Sequence, residues 1–268
     1  MMTSLLVRPQ QPDEQGKVLE VTPESAGWDH VGFRVHDLKA GQRIEGDTGD
    51  REHCLVLLSG RATVTGGEAR WEDIGERMDI FEKIPPYAVY LPNGVGFSVE
   101  ATTDMQLAVC SAPGHGNHGA RLITPDRIKR STRGSGTNTR HIQDVLPETE
   151  PADSLLVVEV YTPDGNWSSY PPHKHDVDNL PEESILEETY YHRLNPCQGF
   201  AFQRVYTDDR SLDETMAVED GCVVMVPRGY HPVGAAHGYE LYYLNVMAGP
   251  KREWKFQNDP AHAWIVKQ

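Results

Sequence analysis

No stretch of this chain sustains the apolar period of an amphipathic helix of ordinary length, and that excludes most fold classes at once. The apolar residues come instead in short runs. Phe33-Arg34-Val35-His36 alternates. Residues 53–58 form a run closed by Ser59-Gly60, and residues 61–64 a second that stops at Gly66-Gly67. Residues 87–91 end at Pro92-Asn93-Gly94, and residues 97–99 and 106–110 complete the series. With 24 Gly and 19 Pro to punctuate them, such runs predict antiparallel sandwiches or barrels rather than βαβ units.

The second half repeats this text. Strands are expected over 154–161, 188–194, 200–206, 222–226 and 241–246, with an extended entry over 166–175 and an acidic loop over 176–184. Two turn landmarks recur at one offset. Gly60 and Asn195 are 135 residues apart, as are Pro92-Asn93-Gly94 and Pro227-Arg228-Gly229. A duplicated β-domain follows as an expectation. Its halves are residues 1–140 and 141–268. The polar start, residues 1–27, reads as an arm packing on a neighbouring subunit. The basic, small-residue stretch 127–140 reads as an interdomain linker; its functional alternative is a basic loop reaching an anionic ligand.

Charge limits the partners. Against 25 Lys and Arg stand 40 Asp and Glu, a net −15, which argues against nucleic acid and anionic membranes. An acidic substrate would then need a local basic pocket. The four cysteines form no C-x-x-C pair, and with no signal peptide they read as reduced thiols of a cytoplasmic protein. No apolar run reaches the ~20 residues of a membrane span.

Chemistry concentrates in Pro171-Pro172-His173-Lys174-His175, with Glu187-Glu188 and His231 downstream. His-x-His on an extended segment puts both imidazoles on one face. A carboxylate and a third His complete a mixed N/O set suited to one divalent first-row metal, with Zn, Mn, Fe, Ni and Co all admitted.

Gly165-x7-His173-x-His175, a Glu six residues before a turn, and Gly221-x5-Pro227-x-Gly229-x-His231 resemble the two cupin motifs. The match departs in a long gap from His175 to Glu188, which implies a loop inserted beside the site, and in a single residue between Gly229 and His231. More closely, residues 166–176, 187–193 and 220–232 resemble the 5-deoxy-glucuronate isomerase family of inositol catabolism. The resemblance covers nearly the whole chain. It implies an all-β bicupin of two jelly-roll domains, the first without metal ligands. It also implies a metal-dependent aldose–ketose isomerase converting 5-deoxy-D-glucuronate to 5-dehydro-2-deoxy-D-gluconate. Another cupin metalloenzyme (an isomerase of a different sugar acid, or an Fe(II) dioxygenase) is the alternative, and a non-catalytic sugar-binding cupin is a third class. Homo-oligomerisation is left open.

Within that frame the metal ligands are His173, His175, Glu188 and His231, with Glu188 preferred to Glu187 for its spacing to the turn at Asn195. At the repeat offset Leu38, Ala40 and Gly96 stand in the places of the three histidines. Tyr190 and His192 share the face of Glu188 by alternation. If Phe200 and Phe202 face the packing side, Gln203 enters the pocket. Tyr190, Gln203 and Tyr243 are the expected catalytic side chains; Arg228 and His192 are the expected substrate contacts. Trp167 and Trp254 are expected in the core.

Overall fold

The structure is a computed structural model that describes residues 4–267. The chain divides into two compact units, and neither is contiguous in sequence. One comprises Pro9–Lys129 and Asp144–Val157; the other takes the segment ending at Arg8, then Arg130–Gln143, then the chain from Val158 onward. A boundary drawn at residue 140 falls at the first residue of the strand Arg140–Leu146.

The first unit packs two antiparallel sheets. The larger runs in the order Arg121–Ile123, Ala88–Leu91, Arg51–Ser59, Met105–Pro113, Gly32–Leu38, Lys17–Val21. The smaller runs Arg43–Asp47, Gly96–Ala101, Ala62–Gly66, Ala69–Ile74. Strand side chains alternate between faces, so Leu55, Leu57, Leu107 and Val109 point together and meet Val64, Phe97 and Val99 in one core cluster. Each such side chain contributes roughly 1.5–3 kcal/mol on full burial.

The second unit has the same two-sheet plan. Its seven-stranded sheet runs Leu6–Val7, Val223–Val226, Glu187–Asn195, Glu240–Ala248, Leu156–Thr162, Arg140–Leu146, Lys129–Arg133. Its four-stranded sheet runs Trp167–Ser168, Val233–Ala235, Phe200–Tyr206, Asp213–Glu219. Among the described residues the only α-helix is the four-residue Pro23–Ala26, capped by Thr22 and ended by Gly27 at φ 71°. None of their helices is long and apolar enough to cross a membrane.

The strands repeat at the offset seen in the turns. Ala88–Leu91 moved by 135 falls on Val223–Val226, and Met105–Pro113 on Glu240–Ala248. The pairing repeats as well: His53 faces Leu91 as Glu188 faces Val226. A register shift between Gln106 and Leu107 separates the copies. His53 faces Ser111, whereas Glu188 faces Met247, one residue further along.

Several sequence expectations change here. The stretch expected as a linker supplies the strand Lys129–Arg133 and the start of Arg140–Leu146. An edge strand with an exposed face tolerates basic residues, so composition alone misread it. Within the polar start, Leu6–Val7 pairs with Val224 and Val223 of the same chain, and Lys17–Val21 joins the larger sheet of the first unit. The acidic loop contains a hairpin, Asp176–Asn179 against Glu183–Ile185. Phe200 and Phe202 face solvent, and Trp167 is exposed rather than in the core.

Candidate metal centre

Three short segments bring the expected ligands together. His173 lies on a two-residue strand paired with Gln257–Asn258. His175 is clamped by one residue: Leu186 N–H donates to the His175 carbonyl at 3.0 Å, and His175 Nδ1 lies 3.0 Å from the Leu186 carbonyl. Glu188, two residues on, is hydrogen-bonded in the middle of the large sheet, between Val226 and Met247. His231 follows the turn at Gly229, whose φ of 89° is left-handed backbone that favours glycine. A Cβ at Gly229 would fall 2.5 Å from the Tyr206 carbonyl oxygen. The Asp176 carboxylate accepts from Gly229 N–H at 2.8 Å, and His231 Nδ1 lies 2.8 Å from the Gly229 carbonyl.

These contacts decide which ring nitrogens are free. A carbonyl oxygen only accepts, so Nδ1 of His175 and of His231 carries the proton and Nε2 carries the lone pair. Both Nε2 atoms point at one carboxylate oxygen: Glu188 Oε2 is 3.0 Å from that of His175 and 3.3 Å from that of His231. His231 Nε2 is buried and lacks hydrogen-bond geometry to any partner. Lone pairs facing a carboxylate in a fully buried site require a cation between them, either a proton or a metal. The donor atoms of His173, His175 and His231 all lie within 4.8 Å of one another. Ligands ~2.1 Å from a common ion are separated by about 3.0 Å at octahedral and about 3.4 Å at tetrahedral angles, so the spacings fit a metal. The residues fit the group that the motif implies.

The protonation states agree. Burial opposes charge on Glu188, yet the hydrogen bond from His175 and the nearness of His231 hold its carboxyl down to about 2. Burial pushes His173 well below the ordinary histidine value, and the neighbouring imidazoles push the same way. Burial would also lower His175, but Glu188 beside it raises it. The arrangement is a carboxylate with basic nitrogens converging on one point.

In front of this set lies a cavity of about 500 Å³, bordered by His173, Tyr190 and Tyr243. Tyr190 packs its ring 5.7 Å from that of His231 and bonds Ser169 Oγ at 2.8 Å. Tyr243 bonds Ser168 Oγ at 2.5 Å. Burial raises both phenols, Tyr190 further, so both stay protonated.

The other expected residues lie elsewhere. Gln203 is fully buried, but it stands outside the cavity wall and its amide donates to the His231 carbonyl at 3.4 Å. His192 is buried beside Tyr190, with Nδ1 2.9 Å from the Tyr190 carbonyl. Arg228 is exposed and does not line the cavity. The residue before a tight glycine turn is carried outward there. The cavity's arginines are Arg133 and Arg140, from the basic stretch expected as a linker. Trp254 and Phe256 of the C-terminal segment also line it, and no periodic signal in the sequence announces them.

Comparison with known proteins places the whole arrangement. The model of the KduI/IolB family matches residues 5–265. The chain belongs to the KduI/IolB family. Within it, the chain is 60% identical over 266 residues to the 5-deoxy-glucuronate isomerase of Geobacillus thermodenitrificans, covering 99% of this chain and 97% of that one. It is 50% identical to the 5-deoxy-glucuronate isomerase of Bacillus subtilis strain 168, over the full length of both. The crystal structure of an IolB-like protein from Salmonella typhimurium LT2 superposes with a TM-score of 0.95 at 53% identity, covering 98% of this chain and 99% of that one. Oxalate decarboxylase of Bacillus subtilis superposes with a TM-score of 0.66 at 13% identity, covering 96% of this chain and 80% of that one. That likeness shows the fold alone, an all-β bicupin.

Proposed function

We infer that this KduI/IolB-family chain is an isomerase that converts 5-deoxy-D-glucuronate to 5-dehydro-2-deoxy-D-gluconate. The observation that carries this reading is the convergence of His175 Nε2 and His231 Nε2 on Glu188 Oε2 behind a cavity walled by His173, Tyr190 and Tyr243, in a chain so close to enzymes of that name.

His173, His175, Glu188 and His231 would hold one divalent ion. Bound there, the ion would act as a Lewis acid toward the sugar's carbonyl and neighbouring hydroxyl oxygens. The chain's own residues do the rest. An aldose–ketose isomerisation removes a proton from the carbon beside the aldehyde, returns one to the aldehyde carbon, and exchanges protons between the two oxygens. Tyr190 and Tyr243 border the cavity beside His173, and burial keeps their hydroxyls protonated. They donate to substrate oxygens and pass the oxygen-bound proton, with Ser169 and Ser168 orienting them. Ser169 holds φ 49°, a conformation uncommon for residues other than glycine, and so keeps its hydroxyl turned to Tyr190. Gln203 steadies the His231 main chain and His192 backs Tyr190, so both act as positioning residues.

The test is a proton-NMR assay of the metal-loaded protein with 5-deoxy-glucuronate. The keto acid should appear, carry solvent deuterium at the former aldehyde carbon when run in D2O, stop forming after chelation, and return with added divalent metal. No turnover with any of Mn, Zn, Fe, Co or Ni would refute the reading.

A further inference from the structure

The chain carries a net −15, yet the wall of its candidate site cavity contains two arginines and no aspartate or glutamate. Arg140 is half-buried. Its Nη1 donates to the Asn138 carbonyl at 3.0 Å, and among the described residues no carboxylate pairs with it. Arg133 stands with its guanidinium 5.9 Å from the centre of the Trp254 ring, also without a carboxylate among the described residues. Burial lowers Arg140, which is the cost of holding that charge partly out of water with no counter-ion. Its charge also acts on the cavity-wall side chains His173 and Tyr243.

The local backbone is shaped to present this group. Gly134 turns the chain between the two arginines at φ 75°, and a Cβ there would fall 2.1 Å from the Asn138 carbonyl oxygen and 2.9 Å from Arg140 Nη1. Only a residue without a side chain leaves Arg140 its place.

We propose that Arg140, assisted by Arg133, is the specificity-determining anion site of this cavity and binds the carboxylate at the far end of the sugar acid from its aldehyde. This rests on the isomerase reading for the identity of the anion. A planar guanidinium suits a carboxylate because it can donate two parallel hydrogen bonds. The pair supplies the local positive charge that an acidic substrate needs to enter an acidic protein. Anchoring that end sets how far the sugar reaches, and so delivers the aldehyde end to the His173 side of the cavity.

The experiment measures binding without turnover. Borohydride-reduced 5-deoxy-glucuronate has no aldehyde to isomerise, and its primary amide differs from it only at the carboxylate. Each is titrated calorimetrically into the metal-loaded wild type and into Arg140→Gln and Arg133→Gln, with melting curves and metal content measured alongside. The wild type should bind the acid about 10–100-fold tighter than the amide. Arg140→Gln should bring that ratio close to one with metal content unchanged, and Arg133→Gln should reduce it in part. If Arg140→Gln does not fold, Arg140→Met, which keeps the apolar stem, takes its place. A wild type that does not distinguish acid from amide, or a folded Arg140 variant that keeps the full ratio, overturns the proposal. Acid preference that depends on Arg140 without isomerase turnover would sink the isomerase reading and leave the anion site standing; turnover without acid preference would do the reverse.

Discussion

At the residue scale the site depends on which nitrogen of each imidazole is free. Main-chain carbonyls hold Nδ1 of His175 and His231, so each ring can offer only Nε2 to an ion. His175→Ala removes one donor and leaves Glu188 short of a partner. We expect metal retained after dialysis, measured by elemental analysis, to fall at least 10–100-fold together with isomerase rate. Glu188→Gln should do the same. Glu187→Gln should leave metal content close to that of the wild type, because Glu187 points to the opposite side of its strand. The reverse outcome would move the ligand to Glu187. His53, the counterpart of Glu188 in the first copy, is buried among apolar neighbours, which pushes it down to about 3. Its folded value lies below its unfolded one, so between about pH 6.5 and 3 the unfolded chain binds more protons. The stability from keeping His53 neutral is complete above pH 6.5 and is lost as pH falls toward 3. His53→Gln should therefore flatten the fall of Tm between pH 6.5 and 4 relative to the wild type. An unchanged slope would show that other groups control it.

At the element scale the strand Glu187–Asn195 is central because both neighbours pair with it along most of its length. It fixes Glu188, while the other ligands arrive on short pieces that turns aim at it. The turn at Gly229 is the most constrained of these. Gly229→Ala sets a Cβ against the Tyr206 carbonyl in left-handed backbone, at a cost of about 1–3 kcal/mol. It should also pull the Gly229 carbonyl away from His231. We expect a lower Tm by differential scanning calorimetry and weaker metal binding by chelator competition. A lower Tm with unchanged metal affinity would separate the turn from the ligand. The hairpin from Asp176 to Ile185 belongs to the same scaffold: Asp176 bonds Gly229 N–H, and Glu183 accepts from Asp176 N–H at 2.9 Å.

At the scale of the whole molecule two copies of one β-plan have different fates. The shared offset of strands, turns and pairing is what a duplication leaves behind. In the first copy Leu38, Ala40 and Gly96 replace the three histidines, and His53 replaces Glu188. Three of those four residues have no metal-binding atom. One equivalent of tightly bound divalent metal per chain is the expected result of elemental analysis after extensive dialysis. Two equivalents would place a second site in the first copy.

Much of this was legible in the chain itself, for a physical reason. Strand alternation and turn chemistry are local, so short apolar runs between Gly and Pro foretold an all-β protein, and His173, His175, Glu188 and His231 could be named from spacing alone. What the local text could not carry was orientation and distant pairing. Arg228 sits beside a ligand in sequence and faces solvent in space, because Gly229 turns the chain between them. Phe200 and Phe202 look like core residues, yet their strand turns Ala201, Gln203 and Val205 inward instead. The basic stretch near residue 130 has the composition of a linker. Its role is decided by sheet pairing, which makes it an edge strand and carries Arg133 and Arg140 to the cavity. Residues and local periods determined the fold class and the metal ligands. Only long-range strand pairing, whose register depends on partners far along the chain, decided which charges surround them.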